Sequence, residues 1–337
     1  MSTETSSISG ASSSSTNISE GAPSGTQHWL KSNASDKQRW LSDKVSAVIV
    51  WIAMAFAFVP LVSIMWLVIS KGWDRLTQDF PYFLTVTMKN VYGGMDAGGI
   101  IHAILGTLQI TVAAGIISVP IGMLTAVWLT EYAQPNSKLQ RGVTVVVDVM
   151  TGIPSIVAGL FAAAAFALTV GPAYRAGIMG AVALSVLMVP TVVRTSEEML
   201  RLVPDSLRQA AYALGVPRWL VVTKVVLRTA AGGLVTSVML AVARVIGETA
   251  PLLMTVGVLD SLNSNIFEGR MMTLPVYIYR QYSQGLMPCS PGATDCVATI
   301  NYDRAWAAAL VLLLLVMFVN IGARYATAKL APKGNRR

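Results

Sequence analysis

Charge is scarce in this sequence. Of its 337 residues only 12% are Asp, Glu, Lys or Arg, about half the share of a soluble domain, while 54% are hydrophobic. So little polar surface cannot cover an ordinary globule in water. Cysteine and histidine are scarcer still, at two of each. Two cysteines in a chain of this length exclude a disulfide-framed mini-protein. Two histidines, His28 and His102, leave neither a zinc-protease helix nor a His-based triad. No glycine is followed by lysine and no two glycines flank a single residue. The Walker A phosphate loop and the dinucleotide fingerprint are therefore both missing. Neither an enzyme nor a metal-binding protein is expected. The net charge is +8, but the basic residues are spread among apolar runs, which favours membrane topology over nucleic-acid binding.

What is present is hydrophobic length. Residues 1–40 stand apart: Ser-rich, almost without apolar residues and with no apolar core of the kind a cleaved signal needs. They are expected to form a disordered cytoplasmic tail. Six apolar runs follow in residues 41–337, and spans are expected at about 45–69, 100–130, 143–170, 176–195, 230–259 and 305–326. About 20 helical residues cross a bilayer, where internally bonded helix is the simplest solution. The run Ala97–Thr130 is uncharged over 34 residues, roughly 50 Å as one helix, so part of it must tilt, break or leave the membrane. An N-terminus in the cytoplasm puts 17 Lys and Arg inside and seven outside, with Arg244 within a span. That bias places both termini in the cytoplasm.

The same topology puts Cys289 and Cys296 in an outer loop, where a disulfide persists; two unpaired thiols are the alternative. Arg244 and Glu248 are charges in an apolar run, at a four-residue spacing that places them on one face of a helix. A charge at mid-bilayer costs about 2.5–3.5 kcal/mol or more, so it needs a reason. One is a neutralised pair stitching helices together. The other is a fixed cation on an anion's route, a role for which the planar, always-charged guanidinium is suited. At the inner end of the fourth run, Arg194, Glu197, Glu198 and Arg201 are spaced for a ladder of ion pairs. It is either a solvated face or a gate. Beyond it, Pro204, Asp205 and Ser206 open a short helix whose Leu207, Ala210, Ala211 and Leu214 share a face; Gly215 and Pro217 stop it. Nine residues are marginal as a helix alone, so that stripe needs a groove, either beneath this protein or on a partner.

Residues Leu207–Gly215, LRQAAYALG, resemble the cytoplasmic EAA loop of ABC-importer permeases. Ala210, Ala211 and Gly215 match; Gln209 stands where that family has glutamate, which removes a charge from the contact with the ATPase. Three further segments resemble phosphate permeases in particular: Gly152–Leu160 (GIPSIVAGL), Val189–Pro204 (VPTVVRTSEEMLRLVP) and Ala243–Leu253 (ARVIGETAPLL). The resemblance implies an all-α, six-span MetI-like permease fold and import of inorganic phosphate. It places Arg194, Glu197 and Arg244 at positions implicated in translocation; Glu248 joins them by its spacing. The 204–217 helix would couple to an ATPase. The implied partners are a PstC-like second permease subunit, a PstB-like ATPase dimer that binds ATP and Mg, and an extracytoplasmic PstS-like phosphate-binding protein. Membrane lipid is the solvent, and no nucleic acid is expected. A permease for sulfate or molybdate shares the architecture, and a stand-alone channel or ion-coupled carrier is the reading from a different class.

Overall fold

The computed structural model describes residues 36–289 and 296–330. The expectations for residues 1–35 and for the basic residues beyond 330 lie outside that range. Residues 36–40, expected in the tail, are already helical.

The described residues are helical, with one isolated antiparallel bridge between Met95 and Cys296. Helix α1 runs Asp36–Gln78, with Pro60 inside it. The chain divides at Val62. The first unit is α1 up to that residue, and its side chains from Trp40 onward are exposed along the whole length, as suits a helix whose solvent is lipid. The second unit, from Ser63, holds everything else. Short α2 (Tyr82–Thr85) leads through irregular chain to α3 (Ile101–Val127), which ends in a π-helical turn at Trp128–Tyr132. The long apolar run thus enters its helix only at Ile101 and continues through the π turn to Tyr132. Helices α4 (Lys138–Thr151) and α5 (Ser155–Thr169) follow, then α6 (Gly177–Arg201) and α7 (Asp205–Ala213). Helix α8 (Arg218–Val221) passes through a π turn, Val222–Val226, into α9 (Leu227–Ile246). Helices α10 (Ala250–Thr255), α11 (Leu274–Gln284) and α12 (Ile300–Leu330) complete the fold.

Five stretches are long and apolar enough to cross a membrane: Trp40–Gln78, Ile101–Tyr132, Gly177–Arg201, Arg218–Ile246 and Ile300–Tyr325. The third expected span is a pair, α4 and α5, bent by 106° at Gly152–Pro154. Counted as one, it brings the total to six. The fifth begins at Arg218 rather than 230 and stops at Ile246 rather than 259. Gly247 interrupts it, and α10 is a separate turn.

At the centre α3 lies along α6. Gly122 makes the approach possible, because a Cβ there would come within 2.8 Å of the Val192 side chain. Small residues at such contacts are how helices pack in lipid, which offers no hydrophobic drive between them. One apolar cluster, including Phe83, Ile110, Met188, Leu252 and Tyr277, fills the end where α3 begins. A second, with Leu200, Val203, Val221 and Val226, fills the end where α6 hands over to α7.

Candidate functional site

The expected ladder is present on α6. Arg194 donates from Nη1 to Glu197 Oε2 at 3.0 Å, and Arg201 donates from Nη2 to Glu197 Oε1 at 2.5 Å. Glu197 is buried and therefore shared by two cations. The spacing did not reveal the third member: Arg194 Nη2 also donates to Asp148 of α4. Asp148 was legible only as the single charge in its apolar run. The cluster thus joins the half-helix before the 152–154 break to the end of α6, and its two cations and two carboxylates balance.

Arg244 is differently placed. It sits in the last turn of α9 and is exposed on the surface of the chain, rather than buried in a greasy helix. Its Nη1 donates to Thr191 Oγ1 of α6 at 3.2 Å, and among the described residues no carboxylate lies within ion-pair distance. Thr191 is three residues before Arg194, so the unpaired guanidinium projects onto the α6 face that carries the ladder. Glu248 does not share a helix with it. The helix ends at Ile246, and Glu248 lies in the 247–249 break, with its N–H on Val245 O at 3.2 Å. The four-residue rule fails there because Gly247 ends the helix.

Two of the recognisable segments are therefore interruptions. Gly152–Leu160 contains the α4–α5 break, and Ala243–Leu253 contains the α9–α10 break. They meet: a Cβ on Gly159 would stand 2.6 Å from Pro251 Cα. In spans broken this way, backbone groups and side chains at the break line a cavity instead of lipid.

Helix α7 buries none of its residues fully. Leu207, Gln209, Ala210, Leu214 and Gly215 are exposed, and Ala211 is half-buried against the cluster at the end of α6. The helix is Asp205–Ala213, shorter than 204–217, and Gly215 turns the chain at φ +74°. No side chain caps its N-terminus; Pro204 is the capping residue, and Asp205 instead accepts from Arg208 Nη1 at 2.9 Å. What holds α7 went unseen in the sequence. Arg208 reaches buried Glu131 in the π turn after α3, and Arg218 donates to the Glu131 carbonyl while its guanidinium covers the Tyr132 ring.

At the other end of the bundle, Cys289 and Cys296 are joined as a disulfide, with 5.8 Å between their Cα atoms. Gly94 accepts from Val297 N at 2.8 Å beside it.

Residues 118–333 match the family described as binding-protein-dependent transport system inner membrane component. The chain is 41% identical over 267 residues to the phosphate transport system permease protein PstA 1 of Mycobacterium tuberculosis (strain CDC 1551 / Oshkosh), covering 79% of this chain and 82% of that one. It is 35% identical over 282 residues to the phosphate transport system permease protein PstA of Pasteurella multocida, covering 83% and 92%. Among solved structures it resembles an inward-facing MetNI methionine ABC transporter (TM-score 0.53, 21% identity, 69% of this chain and 96% of that one). It also resembles a bacterial alginate ABC transporter (TM-score 0.56, 15% identity, 88% and 97%). At those identities the likeness is one of fold.

Proposed function

The chain belongs to the family of binding-protein-dependent transport system inner membrane components and, within it, to the PstA phosphate permeases. On that premise we propose that it is a permease subunit of an ATP-driven importer for inorganic phosphate, forming half of the membrane path. A second permease subunit completes the path, an ATPase pair binds ATP and Mg and engages α7, and an extracytoplasmic phosphate-binding protein loads the outer loops. Both termini face the cytoplasm by the distribution of basic residues. The chain is a transport component, and hydrolysis belongs to the ATPase.

The observation that carries this reading is the unpaired Arg244 against α6. A cation exposed on the lone chain, one helical turn from a charge-balanced ladder, is available to an anion in a path shared with the second permease subunit. Arg194, Glu197 and Asp148 form the gate at its inner end, and opening exchanges their ion pairs. Glu248, in the helix break, keeps the local field from holding the anion too tightly. Force from ATP binding enters through α7 and rocks the spans between outward- and inward-open states.

The test is phosphate uptake by the reconstituted complex carrying Arg244→Gln, with subunit composition and ATP hydrolysis measured separately. Uptake is expected to fall at least about tenfold, which is ~1.4 kcal/mol. Normal phosphate uptake by an intact assembly sinks the role given to Arg244, and uptake of sulfate or molybdate in preference to phosphate sinks the choice of cargo.

A further inference from the structure

We propose that the chain holds a second oxyanion site, a pocket at the end of the bundle opposite α7 that receives protonated phosphate before it enters the membrane path. The assignment rests on the import reading above. The two ends are fixed by contacts along α3: Ile100, its capping residue, bonds Phe83 O, whereas Glu131 beyond its last turn meets α7.

The pocket encloses about 740 Å³ between the 88–93 loop, the 258–261 segment, α11 and the first turn of α12. Its walls carry Lys89, Asp260, Arg280, Gln281, Asn301 and Arg304. Arg280 is tied to Asp260 at 2.5 Å. That leaves Lys89, exposed and without an ion pair among the described residues, and Arg304, only 1% exposed, as an excess of two positive charges. Arg304 Nη2 donates to the carbonyls of Met95 and Ala97 at 2.6 Å each, but its Nε has no partner. Gln281 is 3% exposed, and its Oε1 also has no partner. Buried polar atoms are almost always satisfied, and here two residues of one cavity wall each hold one that is not, sealed just beneath the surface.

That combination selects a ligand. Cationic donors attract any oxyanion. A small rotation of the Gln281 side chain brings its acceptor to the same space, and that favours an oxyanion that still carries a hydroxyl, as phosphate does near neutral pH and sulfate does not. The Val297–Gly94 hydrogen bond and the Met95–Cys296 bridge join the stretch leading out of the 88–93 loop to the start of α12, and the Cys289–Cys296 disulfide lies against Gly94.

The experiment measures radiolabelled inorganic phosphate bound at equilibrium to the complete complex in lipid nanodiscs, without the binding protein. The wild type is expected to bind, with sulfate competing at least tenfold more weakly. Gln281→Glu and Lys89→Glu should each weaken binding at the pocket at least tenfold, whereas Arg244→Gln, which removes a contact in the path, should leave the pocket's share of the bound phosphate. No binding by the wild type overturns the proposal, as does unchanged binding in both pocket variants, or binding lost in Arg244→Gln alone. Equal competition by sulfate overturns the role of the Gln281 acceptor. If Gln281→Glu fails to assemble, Lys89→Glu decides, because that side chain is exposed. Uptake is measured in parallel: a wild type that binds phosphate but never transports it removes the import reading and leaves the pocket standing.

Discussion

Arg208 and Glu131 lie 77 residues apart in sequence and 2.9 Å apart in the fold, Nη2 to Oε1. The same guanidinium donates to Glu131 through Nε at 3.3 Å, to Leu200 O at 3.0 Å and to Val203 O at 2.6 Å. One side chain therefore ties exposed α7 to the ends of both α3 and α6. A push on α7 cannot be absorbed by a loose hinge; it reaches the two helices that form the central contact of the fold.

Arg208→Met should uncouple the importer. Removing one partner of a buried pair strands the other charge, at a cost of about 3–5 kcal/mol. Most of that falls on Glu131 and the local attachment of α7. The expected result is a complex whose ATP hydrolysis no longer responds to phosphate-loaded binding protein, with uptake reduced by more than tenfold. Glu131→Gln should be milder, because Arg208 keeps its two backbone acceptors. Equal coupling in both variants and the wild type, measured as stimulated over basal hydrolysis, would contradict the transmission role.

The gate cluster predicts a hierarchy. Glu197 is buried between Arg194 and Arg201, so Glu197→Gln takes their shared counter-charge from both and leaves Arg194 with Asp148 alone. Asp148 is 58% exposed, and its loss leaves Arg194 still paired. Exposed pairs contribute about 0.2–1 kcal/mol, against several for a buried one. Asp148→Asn should change transport less than fivefold, and Glu197→Gln should change it more than tenfold. The reverse order in a side-by-side uptake series removes Glu197 as the keystone.

How far the sequence revealed this arrangement follows from which interactions are local. The Arg194–Glu197–Arg201 ladder was visible because three- and four-residue spacings on a helix are geometry. The cysteine pair was visible as a candidate bridge because the distribution of basic residues puts both in one outer loop, where a disulfide persists. Asp148–Arg194 and Glu131–Arg208 join helices that meet only after folding, and no spacing encodes them. Glu248 shows the opposite failure: the four-residue spacing crosses Gly247, where the helix it assumes has ended. The third span misled for the same reason, since Gly152–Pro154 bends an apolar run that hydropathy alone cannot divide.

Gln209 is exposed on α7, at the position where the EAA loop it resembles has glutamate. Gln209→Glu should restore a charge to the ATPase contact without disturbing the fold. Retention of the ATPase during purification is expected to rise at low ionic strength and to return to the wild-type level at high salt, because exposed charge pairs are screened. Identical retention at all salt concentrations would mean that position 209 lies outside the contact.

The Cys289–Cys296 bridge yields a test of both orientation and the outer pocket. It closes a loop with a sequence separation of seven, beside the Gly94–Val297 contact that anchors one pocket wall. A bridge of this kind contributes about 2–4 kcal/mol, chiefly by restricting the open chain, so its loss should loosen that wall while leaving the distant spans intact. A membrane-impermeant reductant added outside intact cells should lower phosphate uptake several-fold. Cys289→Ser/Cys296→Ser should show the same lowered uptake and no further response to the reductant. Inhibition only by a permeant reductant puts the loop in the cytoplasm and inverts the topology. Full uptake by the double variant separates the bridge from the pocket, because a wall that functions unpinned was never held by it.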